Sequence, residues 1–328
     1  MREAIFHAEV GDDVYGEDPT INQLEKLAAN KLGKESGLFV TSGTQGNLLA
    51  VLSQTERGDE VIIGEESHIF YSETGAIASI AGVQTRALES VDGRIPISKL
   101  INSIRTTEDL HQPKTGLICL ENTHARSGGS ILPLHDMEEV YKVSNKHNIP
   151  IHLDGSRIFN ASTALNIDVR QISQYANTVL ICLSKGLSAP MGSILLGSKE
   201  TILKARRWRK ALGGGTRQVG IVGAAGKIAL ETMVERLEDD HILAKTLAEN
   251  LNHIPGLQVI NTKVETNIVI VSLKNSAFNS KEMINFLKNK GILVSRINEY
   301  TIRFVTHHEI SHEDIKRTIS TIKKLLVN

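Results

Sequence analysis

The sequence predicts an α/β fold with a mostly parallel central sheet in a large domain and a smaller C-terminal α/β domain. Helical and strand-like patterns alternate through the first two-thirds of the 328 residues, as βαβ units require. Short apolar runs at 61–63, 117–120, 149–153, 179–183 and 194–196 are bounded by Gly, Ser, Asn or Asp, the pattern of strands covered on both faces. From His241 onward the elements form an α/β layer of their own.

The elements follow in order. Thr20 and Gln23 match a capping box, Leu24, Leu27, Ala28 and Leu32 form a helical stripe, and Gly33 stands where that helix would stop. A short apolar strand then leads into 41–47 and a helix-like run at 48–53. Further along, 136–147 reads as a helix. So does the Ala-, Ile- and Val-rich segment from Arg217 to about Leu237, expected to bridge to a second unit. Beyond His241 the order reads helix, strand 257–260, strand 267–273, helix 281–290, strand 301–305 and helix 313–326. The expected division is a large domain over 1–237 and a small one over 238–328.

Composition excludes several function classes. Hydrophobic residues make up 41% and charged residues 23%, with 37 basic against 37 acidic side chains. That is an ordinary globular balance without the basic excess of a nucleic-acid-binding protein. Residues 1–10 read as neither signal nor transit peptide, and no window approaches the roughly 18 apolar residues of a membrane span. Cys119 and Cys182 each sit inside an apolar run, so buried thiols in a reducing cytoplasm are expected rather than a disulfide framework. The 12 histidines are scattered and no metal is expected. Arg206, Arg207, Arg209 and Lys210 around Trp208 read as a solvated helix face, the alternative being a run that helps Arg217 approach a phosphate across a subunit interface.

Chemistry concentrates where apolar strands end. Leu183-Ser184-Lys185-Gly186 puts a lysine at the end of a very apolar strand, where ligands of parallel sheets bind. Apolar surroundings favour the neutral amine that a Schiff base needs; the alternative is a surface lysine whose stem lies along the strand. Ile151-His152-Leu153-Asp154-Gly155-Ser156-Arg157 ends another strand in a carboxylate. A pyridoxal ring acts as an electron sink while its nitrogen is protonated, and Asp154 is of the type that keeps it so; the alternative is a helix cap. Thr41-Ser42-Gly43-Thr44-Gln45-Gly46-Asn47 suits a phosphate: N–H groups at a helix start face the loop, Gly43 permits close approach, and Ser42 and Thr44 add donors. It matches neither Walker nor dinucleotide fingerprints. His68, in Glu65-Glu66-Ser67-His68-Ile69-Phe70, and His124, in Glu121-Asn122-Thr123-His124-Ala125-Arg126, each follow a strand. Two imidazoles at one sheet edge suit proton transfer with a substrate hydroxyl.

The order of these motifs resembles the threonine aldolases, lyases of the fold type I (aspartate-aminotransferase-like) pyridoxal-phosphate enzymes, over nearly the whole chain. The match includes Glu9-Val10-Gly11-Asp12-Asp13-Val14-Tyr15-Gly16-Glu17-Asp18-Pro19-Thr20, Ser184-Lys185-Gly186-Leu187-Ser188-Ala189-Pro190, Leu212-Gly213-Gly214-Gly215-Thr216-Arg217-Gln218 and Arg303-Phe304-Val305-Thr306-His307. The resemblance implies that pyridoxal 5'-phosphate is carried on Lys185, with Asp154 at the pyridine nitrogen, His68 stacked on the ring and Gly43 and Thr44 at the phosphate. It implies further that Arg157 and Arg303 clamp the substrate α-carboxylate and that His124 lies near the β-hydroxyl. Arg217 and Tyr15 would reach a neighbouring subunit's site, in a homo-oligomer for which a tetramer is expected. The implied reaction is retro-aldol cleavage of L-threonine, L-allo-threonine and related β-hydroxy-α-amino acids to glycine and an aldehyde.

The sequence departs from the family at Ala125, Ser156 and Ser188, where asparagine, alanine and glycine are common. It also starts downstream of an Arg-Ser-Asp-Thr-type stretch that contributes to the carboxylate site in most members. The expected alternatives are therefore an upstream start or weaker substrate binding. Rival readings are another reaction of the scaffold, β-elimination or transamination, and a cofactor-binding protein inactive for want of that stretch.

Overall fold

The computed structural model describes residues 1–105 and 109–327. It divides into two compact units, one of Met1–Arg126 with Ile131–Val234, the other of Ser127–Ser130 with Glu235–Asn328. The boundary expected after residue 237 falls within the first turn of the helix Leu237–Asn252.

The first unit is built on seven strands: β1 (Ser36–Val40), β2 (Glu60–Gly64), β3 (Gln84–Leu88), β4 (Thr115–Glu121), β5 (Ile151–Asp154), β6 (Thr178–Cys182) and β7 (Ser193–Gly197). They lie in the order β1-β7-β6-β5-β4-β2-β3. The pairs β2–β3, β2–β4, β4–β5 and β5–β6 are parallel, while β7 runs antiparallel to both β1 and β6. The central strands are buried along their whole length, so they appear in the sequence as unbroken apolar runs. The exception is β3, an edge strand with the sequence Gln-Thr-Arg-Ala-Leu and an exposed or half-buried residue at every position. It carries no such run and was not expected.

Helix ends show which local signals operate. The helix Pro19–Leu32 is capped by Asp18, whose carboxylate accepts from the Ile21 N–H at 3.0 Å, with Pro19 in the first turn and Gly33 left-handed at φ 65° at its end. The expected Thr20–Gln23 capping box is absent. The Thr20 hydroxyl instead donates to the Glu9 carbonyl at 2.6 Å. The expected long helix over 217–237 is two helices, Gly220–Thr232 and Leu237–Asn252, the second starting with the ion pair Arg236–Asp240.

The basic run at 206–210 is not a solvated face throughout. Arg209 is 2% exposed; it donates to Asp13 Oδ2 at 2.6 Å and to the Phe39 carbonyl at 2.7 Å. Arg206 donates to Glu25 Oε2 at 2.7 Å, and Glu25 Oε1 accepts from the Phe39 N–H at 2.8 Å. These charges tie the helix Lys199–Ala211 to β1 and to the N-terminal segment. Arg207 and Lys210 are exposed.

The second unit holds the helix Leu237–Asn252, then β8 (Gln258–Val259), β9 (Ile268–Ser272), the helix Ser280–Asn289, β10 (Ser295–Asn298), β11 (Thr301–Val305) and the helix His312–Val327. Its strands form an antiparallel sheet in the order β10-β11-β9-β8. Val269, Val271 and Phe304 of the sheet pack with Leu247, Met283 and Ile322 of the helices. Asn279 and Glu282 form a complete capping box on the middle helix. Residues 127–130 join this unit through Thr266 Oγ1, which donates to the Gly129 carbonyl at 2.9 Å.

Candidate active site

The carboxyl ends of the parallel strands lie along one edge of the sheet, and the candidate residues follow those ends. His68 comes after β2, His124 after β4, Arg157 after β5, Lys185 after β6, and the 41–47 turn after β1. A pocket of about 320 Å³ is lined by Ser42, Gly43, Thr44, His68, Cys182 and Lys185 together with Asn47, Glu73 and Ser156.

The phosphate-suited turn opens the helix Gly43–Gln54, with Ser42 as its cap; the Ser42 Oγ accepts from the Gln45 N–H at 3.2 Å. The first N–H groups of such a helix lack intrahelical partners and carry the positive end of its dipole. A Cβ on Gly43 would stand 3.0 Å from Cys182 Sγ, and one on Gly46 would stand 2.3 Å from Leu180 Cδ1. Both glycines therefore let the helix start lie close against β6.

Asp154 ends β5 fully buried. Its Oδ1 accepts from the Ser156 N–H at 3.0 Å and the Ser156 hydroxyl at 2.6 Å, and its Oδ2 accepts from Asn47 Nδ2 at 3.0 Å. Burial opposes its ionisation, yet the Lys185 ammonium and the bonds from Ser156 and Asn47 hold the carboxyl below its ordinary range. His68 starts the short helix His68–Tyr71. Its Nδ1 lies 2.9 Å from Glu73 Oε1, and this hydrogen bond raises the imidazole's pKa against the effect of burial.

Glu121 links the two histidine-bearing segments. Its Oε2 accepts from the His68 N–H at 2.7 Å, its Oε1 accepts from the Ala125 N–H at 2.8 Å, and His124 Nε2 lies 4.0 Å from Oε2. Burial pushes the Glu121 carboxyl up.

Not every expected residue gathers here. Arg157 lies at the start of the helix Ile158–Leu165. Arg217, half exposed, pairs with Asp12 and sits 5.6 Å from the ring centre of Tyr15, itself 73% exposed. Neither Arg217 nor Tyr15 lines the pocket. Arg303 lies on β11 in the second unit, where burial lowers the guanidinium's pKa. Asn47, Glu73 and Glu121 were not singled out from the sequence. Asn47 sits one turn into the helix after the Gly43 loop and Glu73 five residues after His68; those spacings are the only signal either residue offered.

The model of the beta-eliminating lyase family matches residues 1–276. Low-specificity L-threonine aldolase 1 of Arabidopsis thaliana is 42% identical over 100% of this chain and 92% of its own length. The chain belongs to the threonine aldolases. The low specificity L-threonine aldolase of Escherichia coli strain K12 is 40% identical over 96% of this chain and 92% of its own. The threonine aldolase of Leishmania major shares the fold, with a TM-score of 0.80 at 18% identity over 97% of this chain and 92% of that one.

A threonine aldolase is a pyridoxal-phosphate-dependent lyase, and the pocket residues fit that cofactor. An amine on Lys185 and a glycine-lined helix start line one cavity, and behind its lining residues Asn47 and Ser156 the Asp154 carboxylate is held below its ordinary pKa range. Glu73 Oε2 is buried there without a hydrogen-bond partner. His68, Glu73 and Asp154 also offer ligand atoms within 4.8 Å of one another. Most of those atoms are already engaged, however, by Asn47, by Ser156 and between His68 and Glu73, which leaves few of them free for a metal.

Proposed function

We propose that this threonine aldolase cleaves L-threonine, L-allo-threonine and related β-hydroxy-α-amino acids to glycine and an aldehyde. The observation that carries the reading is the convergence of Lys185, His68 and the Ser42–Gly43–Thr44 turn on one pocket, with Asp154 bonded to Asn47 of its lining; the activities named for the relatives support it. When bound, pyridoxal phosphate supplies an electron sink conjugated to the substrate amine.

In this reading Lys185 would hold the cofactor through its amine. The Ser42, Gly43 and Thr44 N–H and hydroxyl groups hold the phosphate, and Asp154 keeps a proton on the ring nitrogen. His68 covers the ring face. Because Glu73 favours its imidazolium form, His68 is better fitted to keep a proton than to accept one. That leaves His124, held beside Glu121, to take the proton of the β-hydroxyl as the Cα–Cβ bond breaks and the aldehyde departs, and to return a proton to Cα. Arg157 orients the α-carboxylate, and the role implied for Arg303 is part of the same proposal.

Arg217 and Tyr15, exposed and away from the pocket, are assigned to a neighbouring subunit in a homotetramer. No helix among the described residues is long and apolar enough to cross a membrane. The two free, buried thiols support a cytoplasmic location.

Loaded protein supplied with threonine or allo-threonine should release acetaldehyde and glycine in equal amounts. Lys185→Ala should lose both turnover and the absorbance of the covalently held cofactor. Pyruvate with ammonia, or a keto acid with the cofactor left aminated, would instead assign a different reaction of the scaffold.

A further inference from the structure

Glu73 and Asp154, both bonded to Asn47 of the pocket lining, are held by a hydrogen-bond chain that starts at the opposite end of the helix Gly43–Gln54. Its central member, Asn47, is 1% exposed. The Asn47 Nδ2 donates to Asp154 Oδ2 at 3.0 Å and to Glu73 Oε1 at 2.8 Å. Two carboxylate oxygens call for donors, so the amide nitrogen faces them and Oδ1 points away. Oδ1 lies 3.0 Å from His152 Nε2, and since an amide oxygen only accepts, Nε2 carries the proton. Burial keeps the ring neutral, so the other ring nitrogen accepts. At 2.9 Å from Nδ1 is the Thr178 hydroxyl, whose oxygen in turn accepts from Gln54 Nε2 at 2.9 Å. Donation therefore runs one way, from Gln54 to Thr178 to His152 to Asn47, and from Asn47 to both carboxylates.

We propose that His152 is a positioning residue: locked as its Nε2–H tautomer by Thr178, it fixes the Asn47 amide and through it aims Asp154 and Glu73 at the cofactor ring and at His68. This rests on the reading that pyridoxal phosphate occupies the pocket. His152 is fully buried on β5, two residues before Asp154, with Cys119 beside it in register on β4. No water can take over for a lost partner at such a site. If the ring changed tautomer, Nε2 would become an acceptor facing Asn47 Oδ1. The amide would be driven to turn, and its oxygen would meet two carboxylates in place of its nitrogen. A histidine that merely fills the core would make no such demand on its tautomer.

The test pairs a measurement that needs no cofactor with one that does. In histidine-labelled protein, nitrogen-resolved NMR should show His152 as the neutral Nε2–H tautomer, its signal identified by loss in His152→Phe or displacement in Thr178→Val. An Nδ1–H or imidazolium form would overturn the proposal. Equilibrium binding of pyridoxal phosphate should weaken about ten- to a hundredfold in His152→Phe, the loss expected when hydrogen bonds to a charged group are mis-set. In Thr178→Val it should weaken by a smaller factor. His152→Gln, whose amide nitrogen can replace Nε2 as donor, should recover most of the affinity. Wild-type affinity in a folded His152→Phe, or equal losses in the Gln and Phe variants, would refute the positioning role. If His152→Phe does not fold, Thr178→Val decides: unchanged affinity together with an unchanged tautomer refutes it. Failure of wild-type protein to bind pyridoxal phosphate would fall on the proposed function, whereas the tautomer result bears on His152 alone.

Discussion

Acid should destabilise this protein through His152, and the size of the effect follows from its surroundings. Burial pushes the imidazole down from 6.5 to about 4, despite the opposing pull of the Asp154 carboxylate. The folded chain thus keeps His152 neutral over a range in which the unfolded chain protonates it. Between those two values the unfolded state binds more protons, so stability is full above about pH 6.5 and falls as the pH falls toward 4. The loss is about 2 kcal/mol by pH 5 and about 3 kcal/mol by pH 4. The assay compares wild type with His152→Gln, which keeps a donor but does not titrate, by urea unfolding at pH 7.5, 6 and 5. His241, also pushed to about 4 by burial and by Lys245, acts in both proteins and cancels, as do Glu25 and Glu121, whose raised pKa values act in the opposite direction. The variant's deficit relative to wild type should shrink by about 2 kcal/mol between pH 7.5 and pH 5. Parallel stability curves would show that His152 is not held neutral by its burial.

Two further expectations concern residues outside the pocket. Arg209→Met removes the buried partner of Asp13 and should cost about 3–5 kcal/mol, read as a lower denaturant midpoint, whereas Arg207→Met on the exposed face of the same helix should stay within about 0.5 kcal/mol; equal effects would refute the assignment of Arg209 as the anchoring charge. Ser188 holds a left-handed backbone at φ 61°, so Ser188→Gly should raise the unfolding temperature through a gain of about 0.5–1 kcal/mol; a lower melting point would mean that the serine hydroxyl matters more than the backbone strain.

The sequence revealed most clearly what is buried by apolar contact. β2, β4, β5, β6 and β7 are covered on both faces and read as apolar runs, while β3 and β10 are open to solvent and polar, so nothing in Gln-Thr-Arg-Ala-Leu or Ser-Arg-Ile-Asn marks a strand. The break between Thr232 and Leu237 contains neither Gly nor Pro, and a continuous helix was the natural reading. Lys185, Asp154, His68 and the Ser42–Thr44 turn were legible because each follows an apolar strand. Their supports were not: Asn47 reaches Glu73 and Asp154 across 26 and 107 residues of sequence, and Glu121 reaches the His68 N–H across 53, distances at which no local pattern operates. Arg209 shows the same limit, since four neighbouring basic residues look alike in sequence and only packing against Asp13 and Phe39 separates one of them from the rest.

The antiparallel β7 has a further consequence for Lys185. Strands β6 and β7 are neighbours of opposite direction, so the segment carrying the lysine is a hairpin loop instead of a crossover helix. It is closed by Leu183 N–H to the Gly192 carbonyl at 3.0 Å and by Ala189 N–H to the Leu183 carbonyl at 2.9 Å. A helix docked on a sheet can slide by a fraction of a turn; a short loop stitched at both ends into the middle of a sheet cannot. The backbone at Lys185 is therefore a fixed anchorage, and its amine approaches or withdraws by turning its own four-carbon tether, a motion that asks nothing of the surrounding fold.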